Sequence, residues 1–171
     1  MKKGIILFAS VAALFLSSCA ETNVVKAEME SAKLIRGTWT LTDVNYSGLS
    51  NNEIQGNKKI TETVATVFDT ASPECYVGST WNLVQNNKSG TYDLNNGSSE
   101  CPSGTSKIIW NITKDGSDEY FTFKDVTGIK AKQNTAGYKL KVEYADATSL
   151  QLVQDVNAGG KIAQVIYTFQ R

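Results

Sequence analysis

The sequence predicts an all-β fold: an antiparallel, up-and-down barrel of eight or nine strands. Three observations lead there. From Gly37 onward the chain is rich in threonine, valine, isoleucine and aromatic residues, it is punctuated by asparagine and glycine, and the whole sequence holds only two prolines. Branched and aromatic side chains suit a pleated, half-buried surface. The runs are joined by hairpin-length turns, and no amphipathic crossover of helix length separates them, which argues against a parallel α/β fold. Full closure is one way for such a meander to remove its exposed edges.

The elements follow in order. A first strand runs from Gly37 to about Tyr46, and a polar loop from Ser47 to Lys59 follows it. The stretch ITETVATVF, Ile60 to Phe68, has apolar residues at helical spacing, but its β-branched content selects a strand. Thr70 to Gly78 reads as irregular, with Pro73 and Cys75 inside it. STWNLVQ and SGTYDL flank Asn86-Asn87-Lys88, a hairpin turn by composition. Asn95 to Thr105 is a loop carrying Cys101 and Pro102. SKIIWNITK meets DEYFTFKDV across Asp115-Gly116-Ser117, an Asp-Gly hairpin signal. GYKLKVEYA alternates strictly, with Tyr138, Leu140, Val142 and Tyr144 on one face, the pattern of a half-buried antiparallel strand. SLQLVQDV pairs with KIAQVIYTFQ through Asn157-Ala158-Gly159-Gly160.

The N-terminus is built differently. Lys2 and Lys3 precede an apolar run over 5–16, then Ser17, Ser18 and Cys19. Charge, a short apolar run and small residues make a secretory signal peptide. The run is shorter than the roughly 20 residues of a membrane-spanning helix. Leu16-Ser17-Ser18-Cys19 resembles a bacterial lipobox. That resemblance implies a leader over 1–18, lipidation of Cys19 by diacylglycerol and a further acyl chain, and membrane anchoring. Two or more chains anchor stably where one does not. Residues 19–35 are expected to be a lipidated tether with a helical turn or two before Leu34, and 36–171 the barrel domain. Ala20 is not aspartate, which under the enterobacterial sorting rule implies the outer membrane.

Composition excludes several functions. The chain has 17 basic and 17 acidic residues, and loss of Lys2 and Lys3 leaves the mature chain slightly acidic. No basic run offers a footprint for nucleic acid. The chain contains no histidine. This removes Ser-His-Asp and Cys-His nucleophile arrangements and histidine-based zinc sites. An enzyme would have to run on carboxylates, tyrosine or lysine, so a non-catalytic protein without cofactor or metal is expected. Cys75 and Cys101 remain once Cys19 is lipidated, an even pair in an oxidising compartment, and are expected to form a disulfide. Free thiols in redox work are the alternative, but no Cys-x-x-Cys motif is present. Asp115, Asp118 and Glu119 lie close together, yet lack the spacing of a calcium loop and read as a solvated hairpin tip.

Gly37-Thr38-Trp39 on the first strand, GSTWNL at Gly78 to Leu83 and a final aromatic strand together resemble the lipocalin-like lipoproteins of Gram-negative bacteria. The Thr-Asp-Tyr motif of many lipocalins is missing between the later strands. The resemblance implies that an arginine late in the barrel packs across the first-strand tryptophan. Arg171 shares parity with Val165, Tyr167 and Phe169, so Gly37, Trp39 and Arg171 are the candidates for closing one end. A surface tryptophan with a merely terminal arginine is the alternative. Candidate interior-lining residues are Leu41, Trp81, Tyr92, Trp110, Phe121, Phe123, Tyr138, Tyr144 and Tyr167, aromatics with polar ends. Small barrels either hold one ligand or are filled by side chains. The expectation is a monomeric, lipid-anchored envelope protein that binds or carries a small hydrophobic ligand. The alternatives are a filled barrel acting as a structural or interaction module and, third, a histidine-independent enzyme.

Overall fold

Alternation along the strands builds one continuous wall. The computed structural model describes residues 32–49, 53–55, 58–60, 64–95, 97–130 and 132–171. Its strands are β1 (Gly37–Ser47), β2 (Glu53–Gln55), β3 (Lys58–Ile60), β4 (Thr80–Val84), β5 (Ser89–Leu94), β6 (Gly104–Asp115), β7 (Asp118–Asp125), β8 (Tyr138–Ala145), β9 (Ser149–Ala158) and β10 (Lys161–Gln170). Eight of them form a closed antiparallel barrel in the order β1-β10-β9-β8-β7-β6-β5-β4, and β2 and β3 pair separately as a two-stranded sheet. On β6, Ile108, Trp110 and Ile112 are buried and alternate with outward-facing Ile109 and Asn111. Phe121 and Phe123 of β7 lie opposite Ile112 and Trp110, so the same face of both strands enters the core. The other hairpins repeat this pattern, and the interior becomes a single aromatic-rich cluster.

β1 belongs to both seams. Gly37 to Thr40 pair with β4, and Thr40 to Ser47 pair with β10. The register shifts between Leu41 and Asp43. One extra residue in a strand inverts the parity beyond it. Trp39 and Leu41 therefore face inward before the shift, and Val44 and Tyr46 pack against the core after it. The same device corrects the reading of β8. Its register shifts between Val142 and Tyr144, leaving Glu143 unpaired. Tyr144 is thereby turned to solvent, 52% exposed, and its hydroxyl donates to Asp146 at 2.5 Å. It does not line the barrel, and Ala145 packs against the core in its place.

The stretch from Ile60 to Phe68 is not a strand of the barrel. Ile60 ends β3, and residues 61–63 lie outside the described set. Val67 makes only an isolated bridge with Ala71. Phe68 and Asp69 then take left-handed backbone angles, φ +51° and +53°. The β-branched residues suggested pairing, but burial is reached by insertion: Val67, Phe68 and Ala71 are buried in the core cluster. A short 3-10 turn, Pro73–Tyr76, follows and leads into β4.

Successive strands alternate in direction, so the barrel has two distinct ends. At the floor lie the start of β1, the tight turns at 85–88 and 116–117, and Arg171. At the rim lie the described parts of the longer connections 48–79, 95–103 and 126–137. The packed unit reaches back before Arg36. Residues 32–35 form a helical turn in which Ala32 and Ile35 are fully buried. Cys19, the leader and most of the expected tether lie outside the described residues.

Candidate functional site

The floor is built around Trp39. Its indole N–H donates to the Ile35 carbonyl at 2.7 Å. The Arg171 guanidinium lies over the ring, its central carbon 3.9 Å from the centroid. The same guanidinium donates to the carbonyl of Leu34 at 2.7 Å, to that of Arg36, and to that of Ala147 at 3.3 Å. The last carbonyls of a helix have no partners within it and carry partial negative charge. Here an indole and a cation supply what the turn at 32–35 lacks. Gly37 stands between these groups with φ +105°. A Cβ there would meet Arg171 at 3.6 Å, an ordinary contact. Its backbone angle, more than any shortage of space, is what calls for glycine.

Above the floor, the interior is occupied by the chain's own side chains. Leu41, Trp81, Tyr92, Trp110, Phe121, Phe123 and Tyr167 are all buried, and Tyr138 is partly buried against them. Polar ends are satisfied locally. Trp81 donates to Ser79 at 2.9 Å, Trp110 to the Ser89 carbonyl at 2.8 Å, and Tyr167 to Gln154 at 2.8 Å. Tyr92 donates to Asp125 at 3.2 Å.

The rim is closed by the segment 64–79, called here the strap. Phe68 inserts between opposite walls: its ring stacks on Tyr167 at 5.6 Å and meets Phe123 at 5.0 Å, Tyr138 at 5.1 Å, Tyr76 at 5.2 Å and Trp81 at 6.4 Å edge-on. The end of the strap, Gly78 and Ser79, bonds the backbone of Leu41 in β1 at 2.8 and 3.0 Å, and three side-chain ties fasten the rest. The Cys75–Cys101 disulfide, with Cα atoms 5.3 Å apart, joins it to the β5–β6 loop. Tyr138 donates to Asp69 at 3.1 Å. Tyr46 donates to Glu74. One group is left over: the Tyr76 hydroxyl is buried near Thr70 and Tyr92 without a hydrogen bond of proper geometry.

Shifted groups lie at both ends. At the floor, hydrogen bonds from Tyr144, Thr148 and Ser149 hold the exposed Asp146 carboxylate low and burial lowers the Arg171 guanidinium, while at the rim burial acts on a set of phenols. Burial, first of all, raises the phenols of Tyr46, Tyr76, Tyr92, Tyr138 and Tyr167 above the ordinary tyrosine range. Neighbouring Glu74 and Asp69 add to this for Tyr46 and Tyr138 respectively. Burial works against the Glu74 carboxylate, but hydrogen bonds from Tyr46, its own backbone and Ser72 outweigh it and hold the group below the usual range. Asp125 is likewise opposed by burial, yet held low by Thr127, Ser106 and Tyr92.

The outer wall carries two open grooves. One of about 300 Å³ lies on β6, β7 and β8, with Ile109, Lys124 and Lys139 among its lining. Another of about 290 Å³ is lined by Tyr120, Lys141, Asp155 and Gln164 among others. At the β6–β7 hairpin, Asp115, Asp118 and Glu119 face Lys139, Lys141 and Lys114 at 3.1, 3.2 and 3.2 Å. Each of these carboxylates thus has a lysine partner. Among the described residues no group of three or more histidine, cysteine, aspartate or glutamate side chains is placed to hold a metal.

Phe68 and Tyr76 are the central residues of this arrangement, and the sequence reading did not single them out. A signal was present: two aromatics in a proline- and cysteine-bearing connection outside the alternating strands. Ala32 and Ile35 were missed in the same way, as apolar residues in a segment read as tether. Comparison with protein-family profiles, curated proteins and solved structures finds no match to this chain.

Proposed function

We propose that the protein is a lipid-anchored, lipocalin-like envelope barrel that acts as a non-catalytic interaction module with its interior filled at rest. The observation that carries this reading is Phe68, 5% exposed and surrounded by five rings from the strap and opposite walls. A carrier of a drug- or lipid-sized molecule needs an interior space of about 300 Å³ or more, and side chains stand where that space would be. What such a module offers to partners is its outer wall and its rim loops, set on a rigid scaffold. The lipobox at Leu16 to Cys19 supports the anchor, and the absence of histidine supports the non-catalytic reading.

Native mass spectrometry of the mature protein released from membranes tests the filled interior. The expected mass is that of the acylated chain alone. A stoichiometric lipid-sized adduct would overturn it and restore the carrier. Membrane fractionation of Cys19→Ala tests the anchor separately: release into the soluble fraction is expected, and unchanged membrane association refutes lipidation.

The carrier retains one specific point in its favour. Phe68 and Asp69 hold consecutive left-handed conformations, each costing about 1–3 kcal/mol for residues other than glycine. Backbone strain of this kind collects at switches and clamps.

A further inference from the structure

We infer that the ring cage around Phe68 is a binding site for a single-ring aromatic compound bearing a hydroxyl, and that the strap 64–79 fills it with Phe68 as a displaceable internal competitor. This goes beyond the filled-module reading, because it makes the filling reversible and names what replaces it.

Four observations converge. First, the cage is shaped to a phenyl ring: Tyr167 stacks on Phe68 at an interplanar angle of 28°, while Tyr76, Phe123, Tyr138 and Trp81 present edges at 65° to 90°. Offset stacking and edge contacts are the favoured aromatic geometries, and they serve any ring of that size. Second, the occupant is held by strained backbone, φ +51° at Phe68 and +53° at Asp69. Withdrawal of Phe68 releases that strain, which offsets part of the packing lost. Third, the strap is pinned beside the cage and not woven into the barrel sheet. Among the described residues its internal bridge is Val67 with Ala71. Backbone bonds to the barrel come only at its end, where Gly78 and Ser79 bond Leu41 of β1 at 2.8 and 3.0 Å. Upstream of these it is tied by the Cys75–Cys101 disulfide and the phenol–carboxylate pairs Tyr138–Asp69 and Tyr46–Glu74. The strap can therefore open at Phe68 while remaining leashed at Cys75. Fourth, the Tyr76 hydroxyl is fully buried, with Thr70 and Tyr92 beside it and no hydrogen bond of proper geometry among the described residues. A buried polar group of this kind costs about 1–3 kcal/mol. A ligand hydroxyl would offer it a well-placed partner, which Phe68 cannot, and this favours a phenol over a plain hydrocarbon.

If the open form is about 0.1–10% populated, the internal competitor weakens apparent affinity by the same factor. Removing the competing ring leaves a largely apolar, ring-lined cavity of the type that accepts small aromatics.

The test uses p-cresol and toluene as probes on the full chain and on Phe68→Ala, with binding read by calorimetry and by tryptophan fluorescence. Phe68→Ala is expected to bind both probes, about tenfold to a thousandfold tighter than wild type. In wild type, p-cresol is expected to speed amide exchange within 64–79. The preference for p-cresol over toluene should vanish in Tyr76→Phe. A folded Phe68→Ala that binds neither probe overturns the site. Unchanged exchange across 64–79 in wild type at saturating p-cresol overturns the displaceable strap. If Phe68→Ala fails to fold, Phe68→Leu and the wild-type exchange measurement decide the matter. Failure here leaves the filled-module reading standing, whereas a co-purified lipid would overturn that reading without bearing on the phenol site.

Discussion

The floor and the rim of this barrel are both closed, but by different physics. At the floor, closure is made of backbone polar groups and one cation. Trp39 and Arg171 satisfy carbonyls of the turn at 32–35, and the guanidinium lies on the indole face. At the rim, closure is made of side-chain packing on a strained loop. Phe68 fills the space, and its strap is held by a disulfide and two phenol–carboxylate pairs. The contrast teaches that one end is structural and the other is conditional. The start of β1 and the end of β10 meet at the floor, so loosening it opens the sheet seam itself. A loop enters at the rim, so loosening it exposes the interior while the seam stays shut.

The sharpest way to break this comparison is truncation of each plug. Trp39→Ala should destabilise by about 3–5 kcal/mol, the usual range for a buried aromatic, and Phe68→Ala should cost clearly less because relief of the left-handed backbone offsets part of the loss. Denaturant unfolding measures both. Equal losses would mean the rim is as structural as the floor. Next in size is the disulfide. Replacing Cys75 and Cys101 together by serine should cost about 3 kcal/mol on the chain-entropy account, with amide exchange rising in the strap and unchanged in β1. A uniform rise across the barrel would contradict the local role assigned to it.

Arg171→Ala is expected to cost about 1 kcal/mol, from the lost cation–π contact and hydrogen bonds to exposed carbonyls. Gly37→Ala should cost about 1 kcal/mol or more, since alanine disfavours a φ of +105°. Thermal melts of the two single variants and the double variant test whether they act on one structure, through coupling above simple additivity.

The smallest expected effects are those of pH, and the buried phenols that carry them lie toward the rim. The phenols of Tyr46, Tyr76, Tyr138 and Tyr167 are raised in the folded state by burial. Their contribution is fully present below the ordinary tyrosine value of about 10 and is lost as pH rises above it. Glu74 is lowered in the folded state. Its contribution is present above the ordinary glutamate value of about 4.3 and is lost as pH falls below it. Amide exchange followed from neutral pH in both directions, corrected for intrinsic rates, should therefore rise in 64–79 before it rises around Trp39. The opposite order would place the titrating weakness at the floor.

Much of the barrel was legible because strand alternation is a local code. Ile108, Trp110 and Ile112 on β6, or Val165, Tyr167 and Phe169 on β10, declare their inward face by spacing alone. The disulfide was legible from the cysteine count together with the expectation that the chain is exported. Tyr144 was misread because a bulge at Glu143 inverts parity without leaving a mark in composition. The irregular course of Thr70 to Gly78 was legible, but the start of the strap was misread because the β-branched residues of 60–68 describe a preference for extended, buried backbone, and say nothing of whether burial comes by pairing or by insertion.

The sequence by itself determined the two-residue periodicity, the hairpin turns, the cysteine pair and the aromatic supply of the interior. All of these depend on neighbours along the chain or on residue type. Only the tertiary structure decided that Phe68 occupies the barrel, that Tyr76 is buried among Thr70 and Tyr92 without a well-formed hydrogen bond, and that Arg171 meets the carbonyls of Leu34 and Arg36. Those contacts join residues far apart in sequence. Whether they form depends on the space that closure of the wall leaves inside, a quantity no stretch of sequence contains.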